Sequence, residues 1–294
     1  MSENDKPTAN LVYLHSLLDA LEADVKTRHE AKEAGKALGP TTGLPKIDAT
    51  LGGSLASGLH ILHGQAGTGK SALALQIAAS CGCPCLFLTA EMSTLECFRR
   101  IVCRTTRTFA GKFKNGEMHP SKARDLATRT IKSIPYLAFV DASTAPARID
   151  DLTRFAQDVR KHLGDGNQHL LIIVDSVHSW VRGWAGTGEE YDGLNEGLKL
   201  LRQLSQTLDA AVLGIAERNR VSKAGGLSAS AGSRMFEYSA ESVLDLDFKD
   251  GEKTQADANG DKQLKITFSK NRHGKTGYAP IIFNVDFQSF TEAS

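Results

Sequence analysis

Apolar and polar positions follow two different periods along the chain. From residue 9 to 38 the period is helical. Leu11, Leu14, Leu18, Leu21 and Val25 recur at three- and four-residue spacing, a single stripe on a helix, while Asp19, Glu22, Asp24, Lys26 and Arg28 occupy its other faces. Gly35, Gly39 and Pro40 then break the pattern. Beyond them, short strand-like runs fall at 59–63, 85–89, 136–140, 170–175, 211–216 and 243–248, with helical stretches between most of them. Ile149, Leu152, Phe155, Val159 and Leu163 form one helical stripe, and Leu194, Leu198, Leu201, Leu204 and Leu208 form another. This alternation predicts an α/β fold: a mostly parallel central sheet with helices on both faces. The last two runs, 263–269 and 281–287, have no helix between them and predict an antiparallel hairpin at the sheet edge. Residues 250–262 are polar and rich in Gly and Asp, and are expected to form a mobile turn.

Composition narrows the picture. The chain has 294 residues, 41% of them hydrophobic, which suits one large α/β domain, 41–294, with an appended helix, 1–40. The formal net charge is +1, so there is no global basic field, and any nucleic-acid contact must come from local loops. No run approaches the roughly 18 apolar residues of a membrane-spanning helix, and the first residues are polar, so a cytoplasmic protein without membrane contact is expected. Three of the five cysteines crowd into Cys81-Gly82-Cys83-Pro84-Cys85. They lack the paired C-x-x-C spacing and nearby His of a metal centre, so reduced structural thiols are expected; metal or redox chemistry is the weaker alternative.

One segment carries chemistry outright. Gly64-Gln65-Ala66-Gly67-Thr68-Gly69-Lys70-Ser71 matches G-x-x-x-x-G-K-[ST]. A short apolar run precedes it and a helical run from Ser71 to Ala79 follows it, the context in which such a loop cradles phosphates. A chance match in a Gly-containing turn is the competing reading. In the phosphate reading Lys70 reaches the β- and γ-phosphates of ATP and the Ser71 hydroxyl holds Mg²⁺. Leu170-Leu171-Ile172-Ile173-Val174-Asp175 is an apolar run ending in a carboxylate, the pattern of a buried strand that delivers Asp175 to position the Mg²⁺ (the Walker B role); the alternative is a turn-capping Asp. Glu91 ends the strand after the P-loop helix, at the sheet edge where open α/β sheets bind ligands. There it can orient and deprotonate an attacking water, or merely complement a helix dipole. Glu217 ends another strand and is either a sensor of the γ-phosphate or an ordinary loop acid. Lys270 and Arg272, two apart on the late hairpin, point to one side and lie far from their own P-loop. They act on a neighbour's phosphate, as an arginine finger in trans does, or form a solvated basic hairpin.

These motifs together resemble the RecA-like ATPases, and within them the motor domain of DnaB-type replicative helicases, from about residue 41 to 290. Thr42 to Asp48 looks like the family's opening segment. Glu91-Met92-Ser93 matches its E-M-S motif, whose Glu is the catalytic base, and Arg100 matches an arginine that follows it. Lys114 to Met118 weakly resembles a DnaB-specific stretch. Ser269-Lys270-Asn271-Arg272-His273-Gly274 resembles the K-x-R-x-G hairpin that contacts the adjacent subunit's nucleotide. The resemblance implies ATP and Mg²⁺ as cofactors, catalytic roles for Lys70, Glu91, Asp175, Lys270 and Arg272, a nucleotide contact from Arg100, and a homo-oligomeric ring, expected to be hexameric. Residues 9–38 resemble the linker helix that docks on a neighbouring subunit; packing of the stripe on the chain's own core is the alternative. Departures exist. Leu51 to Leu55 and Ala231 to Arg234 look closer to RadA and KaiC proteins, and Glu217 stands where DnaB proteins usually carry Gln.

Two loops are expected to face the ring centre, at about 181–193 and 218–234. The second carries Arg218, Arg220, Lys223 and Arg234 among glycines and serines and suits a single-stranded DNA backbone; an ordinary surface loop is the alternative. The functional expectation is an ATP-driven motor on single-stranded DNA, with a loader or other replication proteins as further partners. The alternatives are a RadA- or KaiC-like regulatory or recombination ATPase and a nucleotide-gated scaffold.

Overall fold

The structure, a computed structural model, describes residues 11–164, 169–185, 190–217, 236–250 and 255–293. The chain divides into two compact units, Met1–Leu38 and Gly39–Ser294. In the first, a 3-10 turn at Leu14–Leu17 leads into helix α1, Leu18–Glu33, shorter than the 9–38 helical run expected. The helix stops where Gly35 adopts φ +62°, a conformation open to glycine but strained for other residues. None of its residues is buried, and the stripe is exposed: Leu18 by 68%, Leu21 by 61%, Val25 by 55%.

The second unit runs α2 (Pro45–Thr50), β1 (Gly58–Gly64), α3 (Lys70–Ser80), β2 (Cys85–Thr89), α4 (Thr94–Thr106), α5 (Pro120–Ser133), β3 (Leu137–Asp141), α6 (Ile149–Leu163), β4 (Leu171–Asp175), α7 (Val177–Ala185), α8 (Glu190–Leu208) and β5 (Ala211–Glu217). It ends with β6 (Ser242–Phe248), β7 (Asp261–Asn271), β8 (Gly277–Asn284) and β9 (Ser289–Glu292). The strands form one sheet in the order β3-β2-β4-β5-β1-β6-β7-β8-β9. The pairs from β3 to β6 are parallel and those from β6 to β9 antiparallel. This is the α/β architecture the alternation predicts. No helix among the described residues is long and apolar enough to cross a membrane.

The continuous apolar run of β4 is explained by burial on both faces. Leu171 and Ile173 pack into one core layer with Leu73 and Ile77 of α3, while Ile172 and Val174 pack into the other with Leu152 of α6 and Leu198 and Leu201 of α8. Burying each such side chain contributes about 1.5–3 kcal/mol, which holds the central strands firmly enough to present their ends as a fixed edge.

The expected strand at 281–287 instead ends at Asn284. There the Asn284 side-chain oxygen accepts a hydrogen bond from the Phe287 N–H at 3.0 Å, closing a turn that sends the chain back as β9, which the sequence pattern does not reveal. The expected turn at 250–262 also ends early. Asp257 caps it by accepting from the N–H groups of Asn259 and Asp261, each at 2.9 Å, and β7 begins at Asp261.

Candidate active site

Four chain segments end at the same edge of the sheet. β1 stops at Gly64, level with Glu217 at the end of β5 and Leu246 in β6. β2 stops at Thr89, level with Asp175 at the end of β4, and the Ala90 N–H donates to the Asp175 carbonyl at 2.8 Å. Glu91 follows directly. The carboxyl edge of a doubly covered sheet is where such folds place ligands.

The loop between β1 and α3 is shaped by its glycines. Gly67 and Gly69 have φ of +85° and +90°. A Cβ on Gly69 would lie 2.8 Å from the Phe283 ring, so position 69 is closed to larger residues on two counts. The buried Thr68 hydroxyl donates to the Gln65 carbonyl at 2.9 Å and pins the loop into a ring. Gly69 is the N-cap of α3 and brings no side chain to its first N–H groups, which leaves a helix N-terminus suited to an anion. Lys70 curls back over the loop. Its Nζ donates to the carbonyls of Gly64 and Gln65 at 3.0 and 3.2 Å and lies 3.7 Å from the Glu217 carboxylate. Burial lowers its pKa, opposed by Glu217, Asp175 and Glu91.

Asp175 is buried, and that burial pushes its carboxyl up to about 6; a hydrogen bond with the Ser71 side chain and the charges of Lys70 and Arg100 oppose the rise, while Glu91 adds to it. Glu91 goes the other way. Burial alone would raise its pKa, but hydrogen bonds from Ser176 and Ser179 and the charges of Lys70 and His178 hold it below the ordinary range. The site therefore sets two carboxyl groups of opposite tendency beside one lysine, the pattern of an acid–base and ion-binding centre. Arg100 lies on α4, where its Nε donates to Glu96 Oε1 at 3.1 Å; Glu96 also takes a hydrogen bond from Arg99 and one at 3.3 Å from Lys114.

Of the residues singled out in the sequence, Gly64 to Ser71, Glu91, Asp175 and Glu217 thus meet at one edge, with Arg100 in electrostatic reach of Asp175. Lys270 and Arg272 do not join them. Lys270 pairs with Val243 near the start of β6, at the opposite edge of the sheet. Lys262, at the other end of β7, is the residue that reaches the P-loop, with Nζ 3.5 Å from the Gly67 carbonyl. Eight residues of extended strand separate Lys270 from Lys262 by roughly 27 Å. There Lys270 Nζ donates to the Glu237 carbonyl at 2.6 Å, and Arg272 pairs with Glu241 at 3.1 Å. Arg218, Arg220, Lys223 and Arg234 lie outside the described residues. Sequence reasoning missed Lys262, Ser176 and Ser179. Lys262 falls at the end of the expected turn at 250–262, one residue before the run at 263–269, so the sequence offers no signal for it; the structure instead puts it inside β7.

A family model described as the DnaB-like helicase C terminal domain matches residues 39–292. The chain belongs to this family. This DnaB-like chain is 24% identical over 264 residues to a probable replicative DNA helicase of Trieres chinensis, covering 86% of this chain and 57% of that one. It is 22% identical to the replicative DNA helicase DnaB of Treponema pallidum (strain Nichols), covering 98% of this chain and 63% of that one. It thus spans about three fifths of the length of these curated relatives. Among solved structures it resembles the ATPase domain of G40P, at TM-score 0.76 and 16% identity over 93% of this chain and 98% of that one. It also resembles a DnaB-like replicative helicase solved in a study of its interactions with primase, at TM-score 0.74 and 16% identity over 93% and 66%. The KaiC-like protein PH0186 of Pyrococcus horikoshii OT3 matches less well, at 0.56 and 18% identity over 86% and 98%. These likenesses identify the fold as the RecA-like ATPase core.

Proposed function

We propose that this chain is the ATP-hydrolysing motor of a DnaB-like replicative helicase, acting on single-stranded DNA as a ring of identical subunits. The observation that carries this reading is the separation of its cationic groups. Lys70 waits at one edge of the sheet with Glu91 and Asp175, while Lys270 and Arg272 are held at the other. A chain of this shape completes its site with the hairpin of a neighbouring copy.

In this reading the P-loop N–H groups and Lys70 bind the β- and γ-phosphates. Glu91 accepts the proton of the attacking water, and a neighbour's Lys270 and Arg272 neutralise charge that develops on the γ-phosphate; such trans contacts are worth about 10³–10⁵ in rate. The half-buried Ser71 hydroxyl and the buried Asp175 carboxyl, already hydrogen-bonded to each other, form an all-oxygen donor set that fits Mg²⁺. When bound, the ion would supply charge neutralisation between the phosphates. Arg100 contributes a nucleotide contact from α4. The basic segment at 218–234 tracks the DNA backbone, and the exposed stripe of α1 docks on an adjacent subunit. The relative solved with primase supports replication proteins as further partners.

Mixing subunits tests the proposal. Lys70→Ala and Arg272→Ala proteins, each inactive alone, should regain part of the DNA-stimulated ATPase activity when combined, because some interfaces then pair an intact P-loop with an intact hairpin. Full-speed hydrolysis by a strict monomer, with Lys270 and Arg272 dispensable, would overturn it.

A further inference from the structure

Glu91 is not free at the sheet edge. The Ser176 hydroxyl donates to Glu91 Oε1 at 2.6 Å, and the Ser179 hydroxyl donates to the same oxygen at 2.7 Å. The two serines are themselves linked, since the Ser179 N–H donates to Ser176 Oγ at 3.3 Å, with the two hydroxyl oxygens 3.1 Å apart. Ser176 is buried and directly follows Asp175; Ser179 lies in the first turn of α7. Among the described residues, Oε2 of Glu91 accepts no hydrogen bond.

We propose that Ser176 and Ser179 form a clamp that positions Glu91 for catalysis, occupying one carboxylate oxygen so that the other is presented to the attacking water. The claim rests on the reading of Glu91 as the base. Its physical ground is orientation. A glutamate reaches the reaction through three rotatable bonds, and the last of these has no sharp preference. Two hydroxyl donors on one oxygen remove that freedom. The clamp also ties the base to the neighbouring ion-binding position, because Ser176 is anchored in the chain beside Asp175, and β2 and β4 are paired in register at Thr89 and Asp175. Both carboxyl groups are thereby fixed relative to one frame. Ser176 and Ser179 touch the base rather than substrate, and are positioning residues.

The test uses the full chain and separates turnover from binding. Ser179→Ala and the double variant Ser176→Ala/Ser179→Ala should lower kcat by about 10-fold and 100-fold, in line with what a misplaced catalytic group loses. Affinity for a non-hydrolysable ATP analogue should change by less than about three-fold, since neither serine lies in the P-loop. Ser179→Thr, which keeps a hydroxyl at the same place, should restore most of the rate. A double variant that keeps kcat within two-fold overturns the clamp, as does a Ser179→Thr protein no better than Ser179→Ala. If the double variant fails to fold, the Ser179→Ala and Ser179→Thr comparison decides alone. Glu91→Gln separates the two claims. An inactive Glu91→Gln beside fully active serine variants removes the clamp only, whereas an active Glu91→Gln removes the base assignment and the clamp with it.

Discussion

Asp175 should make the empty protein less stable at neutral pH than it would be with a neutral side chain there. Its carboxyl sits at about 6 in the folded chain against 3.8 for the free group, chiefly because it is buried. The folded state therefore holds this proton more tightly than the unfolded state. The sign follows: the penalty is absent below about pH 4, grows between pH 4 and 6, and is complete above 6. At about 1.4 kcal/mol per pH unit, the displacement corresponds to about 3 kcal/mol at pH 7.5 and about 1 kcal/mol at pH 4.5. Asp175→Asn cannot ionise and keeps nearly the same shape. Urea unfolding without metal or nucleotide should then show the variant more stable by about 2–3 kcal/mol at pH 7.5, with most of that advantage gone at pH 4.5. The same variant should lose turnover, because an amide cannot supply the charge that the ion needs. An asparagine protein no more stable than the parent at pH 7.5, or one whose advantage does not shrink on acidification, would refute the reasoning.

The other predictions address neighbouring contacts. Glu217→Gln removes the anion facing Lys70; the pair is 3.7 Å apart with Glu217 largely exposed, so nucleotide affinity should rise by at most about five-fold in a fluorescence titration, and less at high salt. Gly69→Ala introduces a Cβ 2.8 Å from the Phe283 ring at φ +90°, so thermal melting should show a loss of about 1–3 kcal/mol, together with loss of nucleotide binding. Leu18→Asp with Leu21→Asp should weaken assembly, read as native mass with ATP, while the unfolding free energy of the protein stays within about 0.5 kcal/mol, because neither side chain is buried.

What was legible in the sequence was what is local. The strand, loop and helix around Gly64 to Ser71 announce themselves because left-handed glycines, an apolar run and a helical run lie within some twenty residues of one another. Asp175 was legible for the same reason, at the end of an unbroken apolar strand. The serine clamp was not, since Ser176 lies 85 positions from Glu91 and only the pairing of β2 with β4 brings them together. Nor was Lys262, whose contact with Gly67 crosses 195 positions and depends on how β6, β7 and β8 stack beside β1. Lys270 and Arg272 show what each kind of reasoning can carry. Their two-residue spacing says that they share a side of a strand, yet is silent on which end of the sheet that strand serves. The register supplies this: β7 runs antiparallel to β6, so its Lys262 end meets the P-loop and its Lys270 end is carried to the far edge. The exposed leucines of α1 lead to the same place by a different physical route. Each would contribute about 1.5–3 kcal/mol on burial, and none is buried among the described residues. Under the proposed assembly a second copy of the same molecule would cover the stripe and receive the cations, so a variant that disrupts either one should impair assembly-dependent hydrolysis while leaving the single-chain fold intact.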